Sequence, residues 1–126
     1  MPALLNQGLT AIRDGIKAVV THVGVSTSQE VFDATDTELD GGGIGETNLI
    51  KVTAAENNID FQTAEFQISI DGDIEFTGDT IWTIGVLDGP LDADAISRTV
   101  RSAGIGVQAG DNYTIGVRVK AEDNTP

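Results

Sequence analysis

The chemistry most directly on offer in this sequence lies in its aspartates. Asp71-Gly72-Asp73 and the group Asp88, Asp92 and Asp94 place hard oxygen ligands close together on turns, the donor type that Ca²⁺ favours. Neither group follows the twelve-residue loop with Gly at its sixth and Glu at its twelfth position, and a solvated acidic turn carries the same residues. The expectation is therefore no cofactor, with Ca²⁺ as the cation these five residues would suit. His22 is the only histidine, and no second base completes a Ser–His pair around Ser26 or Ser28. Among 20 acidic residues, spacing alone cannot single out the carboxylate pair of a glycosidase. No catalytic constellation emerges, and the chain is expected not to be an enzyme. Trp82 and Tyr113 would suit a sugar-stacking platform, but both share a strand face with Ile and Val and read as core. Arg98 and Arg101 are expected to pair with surrounding carboxylates.

Composition narrows the partners. The 126 residues include 20 acidic and 7 basic side chains and no cysteine, for a net charge of −13. The length suits one domain with a core of its own. The absence of Cys excludes disulfide scaffolds, thiolate zinc sites and thiol nucleophiles. The bases are Lys17, Lys51, Lys120, Arg13, Arg98, Arg101 and Arg118. A surface so poor in them repels phosphate backbones and anionic lipid, so neither nucleic acid nor membrane is an expected partner. Self-repulsion at this charge density fades in molar salt, where the Debye length falls to about 3 Å. Such a surface suits a protein working in brine, the alternative being an ordinary acidic protein of moderate-salt surroundings. No apolar run approaches the roughly 18 residues that span a bilayer. Met1 to Gln7 lacks the charges and apolar stretch of a signal peptide, so export by that route is not expected.

The elements that must hold these residues are mostly strands. Val, Ile and Thr supply 38 residues against 7 Leu, and β-branched side chains pack well on a pleated surface. The exception is residues 1–20. Leu5, Leu9, Ile12, Ile16 and Val19 follow a 4-3-4-3 spacing, the stripe of an amphipathic helix, with Pro2 suited to its first turn. Beside it runs a stripe of small residues, Gly8, Ala11, Gly15 and Ala18. Two interior glycines at a cost of about 1 kcal/mol each call for a close neighbour, either the chain's own sheet or the same helix of another subunit.

Residues 21–126 form the second unit. Thr21–Thr27 reads as a strand, followed by an aperiodic loop over 28–46 that ends in Gly41-Gly42-Gly43-Ile44-Gly45. A loop of that length is disordered, functional or packed on a partner. It has no Lys after its glycines and five carboxylates ahead of Ile44, which excludes a phosphate cradle. Thr47–Ala54 and Ile59–Ile70 follow as strands, the second with a parity switch at Gln62-Thr63. Asp71-Gly72-Asp73 then reads as a three-residue hairpin loop pairing Ile70 with Ile74 and Ile68 with Phe76. Thr80–Leu87 aligns Trp82, Ile84 and Val86. Ile96–Val107 carries a bend at Gly104, and Gly110-Asp111-Asn112 turns into Tyr113–Lys120, which points Tyr113, Ile115, Val117 and Val119 inward. The fold class is an antiparallel, jelly-roll-like β-sandwich of six to eight strands with one N-terminal α-helix. The repeated Ile-Gly-Val triplets at 84–86, 105–107 and 115–117, with Val-Gly-Val at 23–25, place Gly where a neighbouring element comes close.

Several short strings in this order resemble small structural proteins of tailed viruses, of the tail-fibre or capsid-decoration type. They are Leu5-Asn6-Gln7-Gly8-Leu9-Thr10-Ala11-Ile12-Arg13-Asp14, Thr21-His22-Val23-Gly24-Val25, and Ala34 to Leu39. Thr80-Ile81-Trp82-Thr83-Ile84-Gly85-Val86-Leu87-Asp88 and Gly110-Asp111-Asn112-Tyr113-Thr114-Ile115 complete them. Family members often carry an aromatic residue where Leu87 stands. The resemblance implies a non-catalytic, oligomeric virion component, and the Lys-poor surface adds a halophilic, archaeal host. The expected particle protein forms a homo-oligomer, with a trimer favoured, and contacts other virion proteins. Its interface would be Leu5, Gly8, Leu9, Ile12, Gly15, Ile16 and Val19 together with loop 28–46. The alternative is a sandwich module that binds Ca²⁺ or glycan.

Overall fold

A computed structural model describes residues 5–31, 33, 35–42 and 45–122; Pro2, Ala34, Gly43 and Ile44 lie outside them. One helix, α1 (Asn6–Val19), precedes seven strands. These are β1 (His22–Ser26), β2 (Asn48–Val52), β3 (Ala55–Asn58), β4 (Thr63–Asp71), β5 (Thr80–Leu87), β6 (Ala95–Gly106) and β7 (Asn112–Lys120). Two antiparallel sheets result, ordered β2-β1-β5-β6 and β3-β4-β7. Val23, Val25, Ile84 and Val86 of the first face Phe66, Ile68, Ile70 and Ile115 of the second in one core. The expected β-sandwich with one N-terminal helix is the fold.

The strand expectations hold where two-residue alternation is cleanest. β7 directs Tyr113, Ile115, Val117 and Val119 toward the core as read. Three other readings are corrected. Thr47–Ala54 is not one strand; β2 ends at Val52 and the chain crosses to the other sheet, where β3 starts at Ala55. Ile59 and Phe61 lie in the turn before β4, so the parity switch at Gln62-Thr63 marks a strand start at Thr63. Asp71-Gly72-Asp73 is not a hairpin. β4 pairs with β3 and β7, and residues 71–79 carry the chain across to β5. Gly72 is needed there because the carbonyl oxygens of Gln108 and Asp111 occupy the place of a β-carbon. Phe76 is buried at φ 58, while Ile74 stands 79% exposed.

The described residues of loop 28–46 form a strap over the outer face of the chain's own sheet. Leu39 is fully buried on that face, and Ser28 and Asp40 are buried beside it. The Thr83 hydroxyl donates to the Ser28 carbonyl at 2.7 Å, and the Ser28 hydroxyl to the Asp40 carbonyl at 2.9 Å. Arg98 holds the other end of the strap, donating to the carbonyls of Glu30 and Val31 and pairing with Asp36 at 2.6 Å.

Helix α1 closes the end of the sandwich where β1 begins and β5 ends; the amide of Thr21 donates to the Leu87 carbonyl. It has no side-chain cap at its N-terminus, and packing rather than capping holds it. Leu9 and Arg13 are buried, Ile16 packs on the core, and Val20 follows at the C-cap. The buried Arg13 donates to the Asp60 carbonyl at 2.6 Å and pairs with Asp14, and the Thr10 hydroxyl donates to the Phe61 carbonyl. The turn at 59–62 is therefore the helix's seat.

Candidate functional site

Two features stand out among the described residues, an acidic cluster on the strap and an apolar groove beside the helix. The cluster joins Glu38 and Asp40 of the strap to Asp92, which opens the short 3₁₀ turn before β6. Their ligand oxygens lie within 4.8 Å of one another, so the three could hold a metal ion. Asn48, at the start of β2, donates its amide to Asp40 at 3.1 Å and to Asp92 at 3.2 Å. The Leu39 amide donates to the Asp92 carbonyl, which fixes strap and turn together. Burial first, then the neighbouring Asp40 and Glu38, push the Asp92 carboxyl up to about 6. Three carboxylates crowded at reduced dielectric favour a proton or a cation between them.

Of the five aspartates expected as ligands, the structure brings only Asp92 into this cluster. The Asp94 carboxylate accepts from the Leu91 amide at 3.0 Å and so closes its own turn. Asp71 accepts from the Asp73 amide, and Asp73 accepts from the Gly110 amide at 2.6 Å. Asp71 thus stays outside the cluster at the end of β4, and Asp73, Asp88 and Asp94 stay outside it in connecting segments. Glu38 and Asp40 carried no sequence signal, because their partner Asp92 lies more than fifty positions away. Ser26, Ser28 and His22 are engaged locally. The Ser28 amide donates to the Ser26 hydroxyl, and His22 Nδ1 shares a 2.7 Å hydrogen bond with the Thr21 hydroxyl. Arg98 forms the expected ion pair, but Arg101 donates to the Ala103 carbonyl and forms none among the described residues.

The helix stripe read as one interface divides in two. Leu9 and Ile16 face the chain's own core, whereas Leu5, Ile12 and Val19 are 75%, 44% and 50% exposed. Gly8 is half-buried, and Gly15 is exposed with nothing within 4 Å of a β-carbon built on it. Ile12, Gly15 and Val19 border a groove of about 420 Å³, whose other wall is Val86, Ile96 and Val119. Tyr113 packs against the core as expected, whereas at the irregularity between Ile81 and Thr83 it is Ile81 that is buried in the core and Trp82 is only half-buried. Trp82 rests against Gly104, whose missing β-carbon leaves room for the indole ring, and the Tyr113 hydroxyl donates to the Gly106 carbonyl.

Comparison of the chain with protein families, with curated proteins and with solved structures finds no match. No helix among the described residues is long and apolar enough to cross a membrane.

Proposed function

We propose that this chain is a non-enzymatic structural component of a tailed-virus particle, in the tail fibre or as capsid decoration, that assembles through the outward face of α1. The observation that carries the assembly part is the pair Ile12 and Val19, held outward on either side of a bare Gly15 along an apolar groove. A lone chain gains nothing by exposing them, whereas a partner surface would remove them from water at roughly 25 cal/mol per Å². The placement in a virion is supported by the resemblance of the Leu5–Asp14, Thr80–Asp88 and Gly110–Ile115 strings. Loop 28–46 remains the second part of the expected interface, its described residues resting on the chain's own sheet.

The test is the absolute mass in molar KCl, where repulsion between acidic copies is screened. A multiple of 13.2 kDa is expected for the wild type, with a trimer favoured, and loss of that multiple in Ile12→Asp/Val19→Asp. Wild-type and variant chains of equal mass would sink self-assembly through this face. Antibody labelling of purified particles then tests the virion part.

A second reading, a Ca²⁺-binding module, is favoured by Glu38, Asp40 and Asp92. Titration calorimetry should register Ca²⁺ binding that Asp92→Asn abolishes. A wild-type protein that neither takes up heat nor gains thermal stability with Ca²⁺ would remove this reading.

A further inference from the structure

Aspartate followed by glycine is a dipeptide that rearranges without an enzyme, because glycine has no β-carbon to shield its nitrogen. The glycine nitrogen attacks the aspartate Cγ, a C–N bond forms, and a carboxyl oxygen leaves as water. Water then opens the five-membered succinimide. When it cleaves the bond to the original main-chain carbonyl, the product is isoaspartate, whose main chain runs through Cγ and is one methylene longer. No atom is gained or lost overall, and no oxidant or cofactor takes part. The sequence holds four such pairs, Asp14-Gly15, Asp40-Gly41, Asp71-Gly72 and Asp88-Gly89.

Three of the four are tied down. Gly15 lies inside α1, where its N–H belongs to the helical ladder, and Asp14 is paired with Arg13. The Gly41 amide donates to the Glu38 carbonyl at 3.1 Å, and the buried Asp40 accepts from the Gly42 amide and from Asn48. The Gly72 amide donates to the Asp111 carbonyl at 2.8 Å, and Asp71 accepts from the Asp73 amide. In each pair nitrogen and carboxyl are both engaged, so bringing them together breaks bonds on both sides. Asp88-Gly89 differs on both counts. Asp88 is exposed, and neither its carboxylate nor the Gly89 N–H has a hydrogen-bond partner among the described residues.

The pair also stands at a sensitive joint. Asp88 follows β5 directly, and its amide donates to the Asp94 carbonyl at 3.1 Å, closing a turn over residues 88–94. Gly89 lies against the Asp94 carboxylate inside that turn. The same turn carries Asp92, whose carbonyl accepts from the Leu39 amide and whose carboxylate accepts from Asn48. We infer that Asp88-Gly89 is the site at which the folded protein converts to isoaspartate, and that the added methylene shifts the 88–94 turn away from the strap. The change is built into one chain and is independent of the assembly reading.

The full chain is aged for weeks in mildly acidic buffer, once folded and once in guanidinium chloride, beside a folded Asp88→Ala variant. Electron-transfer fragmentation, which tells isoaspartate from aspartate at a given residue, locates the product. The folded wild type is expected to accumulate it at Asp88 while Asp14, Asp40 and Asp71 stay unchanged, and the unfolded chain to form it at all four. Folded Asp88→Ala is expected to form it at none of the other three. Limited proteolysis then reads the turn, with faster cleavage between residues 28 and 46 expected in aged wild type, in proportion to its isoaspartate, and not in aged Asp88→Ala. No isoaspartate at Asp88 of the folded protein, or as much at Asp14, Asp40 or Asp71, overturns the site. A strap as resistant in aged as in fresh wild type overturns its displacement.

Discussion

Gly24 and Gly85 sit directly opposite one another on β1 and β5, and the side chain of Leu39 occupies the space that both lack. A β-carbon on Gly24 would meet Leu39 Cδ2 at 2.6 Å, and one on Gly85 would meet Leu39 Cδ1 at 2.8 Å and the Ser97 carbonyl oxygen at 2.6 Å. The strap is thus keyed to the sheet by one leucine over two glycines. Gly24→Ala should destabilise by about 1–3 kcal/mol in urea unfolding, as overpacking does. Gly85→Ala should cost more, because one of its obstacles is backbone. Leu39→Ala should cost about 2–5 kcal/mol. Equal, negligible effects at both glycines would mean that the strap does not lie where the structure puts it.

The other key is Arg98, a buried guanidinium that ties β6 to three strap positions. Arg98→Met should strip the strap of its anchor, removing the bonds to Glu30 and Val31 and leaving Asp36 without its cation, and should lower stability in urea unfolding. Limited proteolysis is the more specific readout, with new cleavage expected between residues 28 and 46. The hydrogen bond from Arg98 holds the Asp36 carboxyl below its ordinary value. That contribution is present above the ordinary carboxyl range and is lost as pH falls through the lowered value, a loss Asp36→Asn should remove.

Asp92 works in the opposite direction. The folded protein keeps a proton on it up to about pH 6, against an ordinary value of 3.8, so folding takes up a proton between the two. Its contribution is fully present below about pH 4 and is lost as pH rises through 6. Wild-type stability should therefore rise as pH falls from 7 to about 4.5, by about 1 kcal/mol once solvent screening of this half-buried group is allowed for. Asp92→Asn should be at least as stable at pH 7 and flat over that window. A stability profile in which the variant keeps the slope would assign it to other groups.

Salt should matter across the whole surface. With a net charge of −13, raising KCl from tens of millimolar to molar should raise the melting temperature, at about 4 °C per kcal/mol for a domain of this size. An unchanged or lower melting temperature would remove the argument for a brine-adapted surface.

Groove chemistry gives a last prediction that needs no assembly. Gly15→Ala adds a methyl group where nothing stands within 4 Å, and alanine is the better helix former by about 1 kcal/mol. The lone chain should therefore be stabilised. If association is weakened by the same substitution, close approach of a partner at Gly15 is what the glycine serves.

Local pattern determined much of this protein. β-branched composition and two-residue alternation specify β1, β5 and β7, because a side chain's face in an extended strand follows from steric rules within a few residues. The 4-3-4-3 spacing specifies α1 by the same logic at a period of 3.6. Glycines 24 and 85 announced close neighbours, though not which ones. Tertiary structure alone decided the rest. An amphipathic stripe looks the same whether it packs on its own sheet or on another copy, so only the fold could divide Leu9 and Ile16 from Ile12 and Val19. Asp71-Gly72-Asp73 has the residues of a hairpin, but the partners available to β4 were β3 and β7, and the chain crossed sheets instead. Glu38, Asp40 and Asp92 are far apart in sequence. They meet because Leu39 and Arg98 lay the strap across the sheet, and contacts made by loop closure over such separations leave no period to read.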